Sequence, residues 1–270
     1  MIPEAEETQP AGRRKEVLPD ATYSVLGVRI DALNMSAALQ QMDRWIHQRN
    51  GCHTVVVANA HGVTEARQDT EFRRLINNAD LVVPDGMSLV WLGRLRSPRN
   101  ISRVSGPDLM EMFCQQAATK GYRHFFLGGA PGVPEEVVDR LRQRMPQLQV
   151  VGAYSPPFRA LRSEEDDRLL EQIRQAAPDV LWVGLGCPKQ ERWLADHRSR
   201  LNVPVAIGVG AAFDFLAGRV RRAPGWMQRN GLEWLFRLSV EPRRLWRRYL
   251  FGIPRFVFYL ILEAFELEKA

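Results

Sequence analysis

The feature that most narrows what this chain can fold into is a series of short runs in which every residue, not every second one, is apolar or β-branched. TVVV at 54–57 and LVV at 81–83 are of this kind. So are FFL within YRHFFLGGAPG, and the runs inside DVLWVGLG and VPVAIGVG. A strand with one face in water alternates apolar with polar residues; a strand that stays apolar has both faces covered. Between these runs stand stretches with apolar residues at helical spacing, over 35–48, 64–77, 107–119, 134–144, 164–176 and 189–201. Residues 23–30 and LQVVGAYS complete the predicted strands. Strands alternating with helices predict an α/β fold, a Rossmann-like parallel sheet with helices on both faces, over residues 21–218.

After Gly218 the pattern changes. RAPGWMQRNGLEWLFRLSVEPRRLWRRYLFGIPRFVFYLILEAFELEKA has no strand signature. It reads as a helical appendage over 219–270, two or three helices broken near Pro242 and Pro254. The charge sits here as well. The net charge is +6, and the ten arginines from Arg219 to Arg255 face only Glu233 and Glu241, so the rest of the chain is close to neutral. Such a segment meets anions: nucleic acid, phosphates or an acidic membrane surface. Residues 1–20 are polar, hold three prolines and lack an apolar h-region, which predicts a disordered leader rather than a signal peptide. Cys52, Cys114 and Cys187 are far apart, which argues against a disulfide framework or a zinc site and fits a reducing cytosol. No run is long enough for an uninterrupted membrane span; the nearest, 256–262, lies between Arg255 and Glu263.

Every predicted core strand stops at something small or polar. In a parallel sheet these ends share one rim, so Asn59, Asp85, Gly128, Gln190 and Asp214 could line one crevice. Asp85 stands in ADLVVPDGMSLV. Pro-Asp-Gly is turn chemistry, and its aspartate is expected either to cap the next helix or to present a carboxylate where α/β proteins place their ligands. The glycine turns GGAPGV and GLGCPK suit the close approach of a phosphate or sugar, and equally well a tight strand–helix contact. Neither has dinucleotide-binding or P-loop spacing. His47, His53, His61, His124 and His197 show no metal-ligand spacing, though His61 lies beside the predicted crevice. There is no serine-hydrolase elbow and no D-x-D pair; SEEDDR at 163–168 reads as a capped, solvated helix start. No metal and no cofactor are expected.

The order NAHGVTEAR, ADLVVPDGMSLVWLGR, RVSGPDLM, FFLGGAPGV, VGLGCPKQERW, GVGAAFDFLAG, RRAPGWMQRNGLEWLFRL, EPRRLWRRYL resembles the WecG/TagA/CpsF family of bacterial glycosyltransferases. The likeness runs from Tyr23 to Tyr249. It implies an inverting, metal-independent transfer from a UDP-sugar to a sugar on a polyprenyl diphosphate, forming a β-linkage. It further implies an enzyme peripheral on the inner, cytoplasmic face of the plasma membrane, serving cell-surface or extracellular polysaccharide synthesis. Carried over by motif, Asp85 is the general base, and Arg103 stands near the donor diphosphate or leaving group. Asn59, Gly128, Gly129, Gln190 and Asp214 are at donor-binding positions. Arg237, Arg244 and Arg247 of the appendage close over the site and meet the diphosphate and membrane. Val57 stands where many relatives have threonine.

The chemistry suits these roles. An inverting transfer needs a base beside the acceptor hydroxyl, and an aspartate is ionised at neutral pH. The departing UDP needs positive charge, which the planar fork of arginine supplies to diphosphate oxygens. Arginine mixed with aromatic and aliphatic residues on short helices suits an anionic membrane surface. Other readings stand beside this one. Asp214 could cap its helix and Gln190 could be an ordinary helix residue. The appendage could bind nucleic acid, or the chain could be an inactive membrane-docked scaffold. Its apolar side could meet a second copy of the chain as easily as lipid. Without a recognisable nucleic-acid module, no nucleic-acid partner is expected.

Overall fold

The computed structural model describes residues 21–97 and 99–267, with side chains to 265. The predicted leader lies outside the described residues. The fold opens with β1 (Thr22–Val25) and β2 (Val28–Asp31), an antiparallel hairpin. A single strand over 23–30 was the expectation. The chain instead reverses at Leu26 (φ 53°) and Gly27 (φ 80°), the pair of positive φ angles that matches the twist of a two-residue hairpin.

Next come α1 (Met35–Gln48), β3 (His53–Ala58), α2 (Ala60–Gln68), α3 (Thr70–Asn77), β4 (Leu81–Pro84) and α4 (Met87–Arg96). The helix expected over 64–77 is two helices. Asp69 ends α2, and its carboxylate accepts the Phe72 N–H at 2.8 Å to start α3, the competition that aspartate offers a continuous helix. Then follow α5 (Gly106–Ala118), β5 (Arg123–Gly128), α6 (Val133–Arg144), β6 (Gln149–Tyr154), α7 (Ser163–Ala176), β7 (Val180–Gly184), α8 (Lys189–His197), β8 (Val205–Gly208) and α9 (Ala212–Leu216). The helix predicted to reach 201 stops at His197. The acidic start of α7 is capped as expected: the Glu165 carboxylate accepts the Arg162 N–H at 2.9 Å.

Six strands form one parallel sheet in the order β4-β3-β8-β7-β5-β6. Successive residues face opposite sides, and both sides are covered. Val55, Val57, Phe126, Trp182 and Ile207 pack with residues of α1, α5 and α6. Phe125, Leu127, Leu181, Val183 and Ala206 pack with Leu169, Ile173 and Leu194 of α7 and α8. Val56 and Val82 meet the hairpin and α2 to α4. This two-sided burial explains the missing alternation. From β5 the chain moves outward to β6, and from β7 it moves back to β8. Such opposed departures leave a crevice at the carboxyl ends of the strands.

The C-terminal region is helical: α10 (Gly225–Arg229), α11 (Glu233–Val240) and α12 (Pro242–Leu267). Pro242 opens α12, where a missing N–H costs nothing. The break expected near Pro254 is absent, and the helix runs through it. The carbonyl left without an in-helix donor belongs to Leu250, an exposed residue. α12 crosses α2. Its far end is held by Glu263, whose carboxylate accepts the Leu26 N–H at 2.8 Å and the Arg96 guanidinium at 3.0 Å. Among the described residues, no helix is long and apolar enough to cross a membrane.

Candidate active site

The carboxyl ends of β3, β4, β5, β7 and β8 open into one cavity of about 1650 Å³, with α11 and α12 forming its far wall. Asp85 leaves the end of β4 and donates its N–H to the Ala58 carbonyl at 2.8 Å, which fixes it beside β3. The cap expected of its side chain is not made. The N-cap of α4 is Gly86, with no side-chain hydrogen bond, so the Asp85 carboxylate is left to the cavity.

Arg103 grips Asp85 twice. Its Nε donates to the Asp85 carbonyl at 2.5 Å, and Nη2 donates to Oδ1 at 3.2 Å. Nη2 also donates to Glu233 Oε2 of α11, and Nη1 reaches Gln228 Oε1 at 3.4 Å. Burial raises the Asp85 carboxyl above its ordinary range; Arg103 opposes this, Glu233 adds to it, and Arg222 opposes it more weakly. The site therefore holds a carboxylate whose basicity is raised, next to a cation divided between two acids.

The other expected residues divide into two groups. Asn59 and Asp214 line the cavity. Asn59 spends its Oδ1 capping α2, accepting the Gly62 N–H at 3.1 Å. Asp214 is in the first turn of α9, whose N-cap is Ala211, so it is not the cap. Its carboxylate makes no hydrogen bond to a described residue. Val57 also lines the cavity, so the place of the family threonine does face the site.

Gln190 is almost fully buried at the cavity wall. Its Oε1 accepts the Gly186 N–H at 3.2 Å and the Gly210 N–H at 2.9 Å, while Nε2 donates to Glu191 at 2.8 Å. It thus stitches the loops after β7 and β8 together. Gly129 lines the cavity and Gly128 does not. A Cβ on Gly128, at φ 126°, would meet the Gly184 carbonyl carbon at 2.5 Å, so strand packing alone requires glycine there.

In the appendage, Arg237 and Arg244 line the cavity and Arg247 does not. Arg237 lies over the Phe215 ring at 5.2 Å. Arg247 is exposed beside Trp246. In its place the helix turns Arg248 and Arg255 toward the cavity. Arg248 Nε is buried without a partner among the described residues. Burial lowers its guanidinium, as do Arg237 and Arg244. His61 stands opposite, pushed down to about 4 by burial and by Arg248, and so neutral near pH 7. Arg248 and Arg255 were legible in principle. Residues 244, 248 and 255 fall within about 40° of one another around the helix, and 247 lies about 60° to one side of 244. Glu233 carried no such signal, because its partner Arg103 is 130 residues away. Among the described residues, no group of three His, Cys, Asp or Glu could hold a metal ion.

The chain matches the model of the Glycosyl transferase WecG/TagA/CpsF family over residues 23–270. It is 33% identical over 213 residues to the N-acetylglucosaminyldiphosphoundecaprenol N-acetyl-beta-D-mannosaminyltransferase of Bacillus spizizenii, a match covering 79% of this chain and 80% of that one. The protein of the same name from Bacillus subtilis is 31% identical over 233 residues, covering 85% and 87%. The match takes in the sheet, its polar rim and the helices that wall the cavity, and the chain belongs to the WecG/TagA/CpsF family of glycosyltransferases.

Proposed function

We propose that this enzyme moves a sugar from a UDP donor to a sugar linked through diphosphate to a polyprenyl lipid, inverting the anomeric centre to give a β-linkage. The observation that carries the reading is the Asp85 carboxylate: released from capping, made more basic by burial, and facing a wall of arginines. The named relatives support the acceptor class and make N-acetylmannosamine the first donor to try. A cavity of about 1650 Å³ exceeds the usual single-ligand range of about 300–1,000 Å³, which suits two substrates together.

In this reading Asp85 takes the proton of the attacking acceptor hydroxyl as the bond to the anomeric carbon forms. The bond to UDP breaks at the same carbon, on the opposite face. Arg103, Arg237, Arg244, Arg248 and Arg255 supply the charge that the departing diphosphate needs. Asn59 and Asp214 contact the donor, and Gln190 and Gly128 hold the rim in shape for it. The region from 219 onward acts as an appendage that brings the site to an anionic membrane surface, peripheral on the inner face. The exposed side of α12, with Trp246, Leu250, Phe258, Ile261 and Phe265 beside Arg243 and Arg247, supports that placement.

The test is UDP release from a panel of UDP-sugars with a polyprenyl-diphosphate-linked N-acetylglucosamine acceptor, comparing the wild type with Asp85→Asn. Release is expected with one donor, and to fall by about 10²–10⁴-fold in the variant while UDP binding persists. Equal release from both would return Asp85 to a turn residue.

A further inference from the structure

The appendage brings more than arginines to the cavity. Glu233, at the start of α11, lines the cavity and bonds Arg103 through the same nitrogen, Nη2, that contacts Asp85. The three side chains are each largely enclosed, with 18% of Arg103, 18% of Glu233 and 22% of Asp85 exposed. An arginine beside a single enclosed carboxylate forms a full ion pair and makes that carboxylate a poor proton acceptor. Here the guanidinium is shared.

We propose that Glu233 is a positioning residue, which the appendage delivers to divide Arg103 between two carboxylates and so leave Asp85 only partly paired and able to accept a proton. The inference rests on the reading of Asp85 as base. It makes docking of the appendage the step that arms the base. With α11 away, Arg103 has Asp85 as its only carboxylate partner among the described residues, and the pair closes on itself. With α11 in place, Glu233 takes the stronger share of Nη2 and adds its own negative charge near Asp85.

The charged groups acting on Asp85 are Arg103 before α5, Arg222 before α10 and Glu233 on α11. Glu233 in turn acts on Arg103, Arg222 and Tyr249. Of these, only Glu233 opposes ionisation of Asp85 by its charge. The sign of the effect follows. A general base works when ionised, so the acid limb of kcat/KM, which reports the free enzyme, falls at the pKa of Asp85. Removing the Glu233 charge lowers that pKa and moves the limb toward lower pH. The weaker base then lowers the plateau.

The experiment is the pH profile of kcat/KM for the full chain, with UDP-N-acetylmannosamine and a polyprenyl-diphosphate-linked N-acetylglucosamine acceptor. Glu233→Gln keeps the size and removes the charge; Glu233→Asp keeps the charge. The expected result is an acid limb lower by about one pH unit in Glu233→Gln, with a reduced plateau, and a limb at its wild-type place in Glu233→Asp. A residue that merely fastens the appendage would lower the plateau in both variants and leave both limbs unmoved, and that outcome overturns the proposal. Asp85→Asn is assayed beside them. If it keeps wild-type turnover, the base reading and this proposal fall together. If it loses turnover while the limb of Glu233→Gln stays in place, only this proposal falls.

Discussion

In β7 four of five residues are buried, and Trp182 is fully enclosed; in α10 and α11 none is buried, and among the described side chains of α12 only Leu245 and Phe256 are. The sheet is held by apolar area removed from water, which acts without direction and does not depend on salt. The C-terminal helices set Phe256, Tyr259 and Leu260 against the core and are otherwise fastened by charge. Arg222 grips Asp108 with both terminal nitrogens, at 2.5 and 2.6 Å, and reaches Ser105 at 3.1 Å. Glu233 holds Arg103, and Glu263 holds Arg96 and the hairpin turn. Fastenings of this kind are local, respond to salt and can be released without unfolding what lies beneath. The difference teaches that one chain carries one set of site residues on a rim held by the sheet and a second set on helices held in good part by charge.

The largest cost to the fold is expected where the comparison is sharpest. Trp182 forms a three-ring cluster with Phe113 and His124, at 6.1 and 6.2 Å, and donates Nε1–H to His124 Nδ1 at 3.0 Å. Trp182→Ala should cost about 3–5 kcal/mol, read as a shift in the denaturant midpoint. A loss below about 1 kcal/mol would show that stability is not seated in the sheet.

The same contrast decides what the sequence revealed. Two-sided burial writes itself as unbroken apolar runs, so the parallel sheet and its polar rim were legible, including Asp85 and Asp214 at the cavity. The hairpin was not, because Leu26 is not a residue expected at positive φ. The split at Asp69 was not either, because an aspartate inside a helical period reads as a solvated position until its cap is seen. The cavity face of the appendage was legible only in part: Arg237 and Arg244 line it as the motif implies, while Arg248 and Arg255 join them and Arg247 lies on the exposed side. Glu233 lay beyond any local pattern: charge-held contacts between distant segments leave no periodicity in the chain.

Arg222 offers a middle case. Arg222→Met removes the grip on Asp108, whose carboxyl that guanidinium holds below its ordinary range despite burial. The pair is partly open to solvent, with 26% of Arg222 and 39% of Asp108 exposed, so its worth is about 1 kcal/mol or less. Turnover should fall by about fivefold at most, and the fall should be mimicked in the wild type by raising the salt concentration. The denaturant midpoint of the core should hardly move. A core destabilised as much as by Trp182→Ala would break the distinction between the sheet and the helices that charge helps to fasten.

The smallest cost to the fold is expected on the outer side of α12, and it separates two coverings for that face. Leu250 and Phe258 are 62% and 55% exposed. Replacing both with serine should change stability by only about 0.5 kcal/mol at each site. Association with vesicles containing anionic lipid should weaken by at least about tenfold, since each apolar side chain entering lipid contributes about 1.5–3 kcal/mol. Turnover on a water-soluble acceptor with a shortened lipid should stay near wild type, because neither residue lines the cavity. If the double variant instead unfolds several kcal/mol more easily, and does so in a concentration-dependent way, the face is buried against a second copy of the chain. The exposed apolar stripe would then belong with the sheet, as a permanent part of the fold, and the arginines beside it would need another anion to meet.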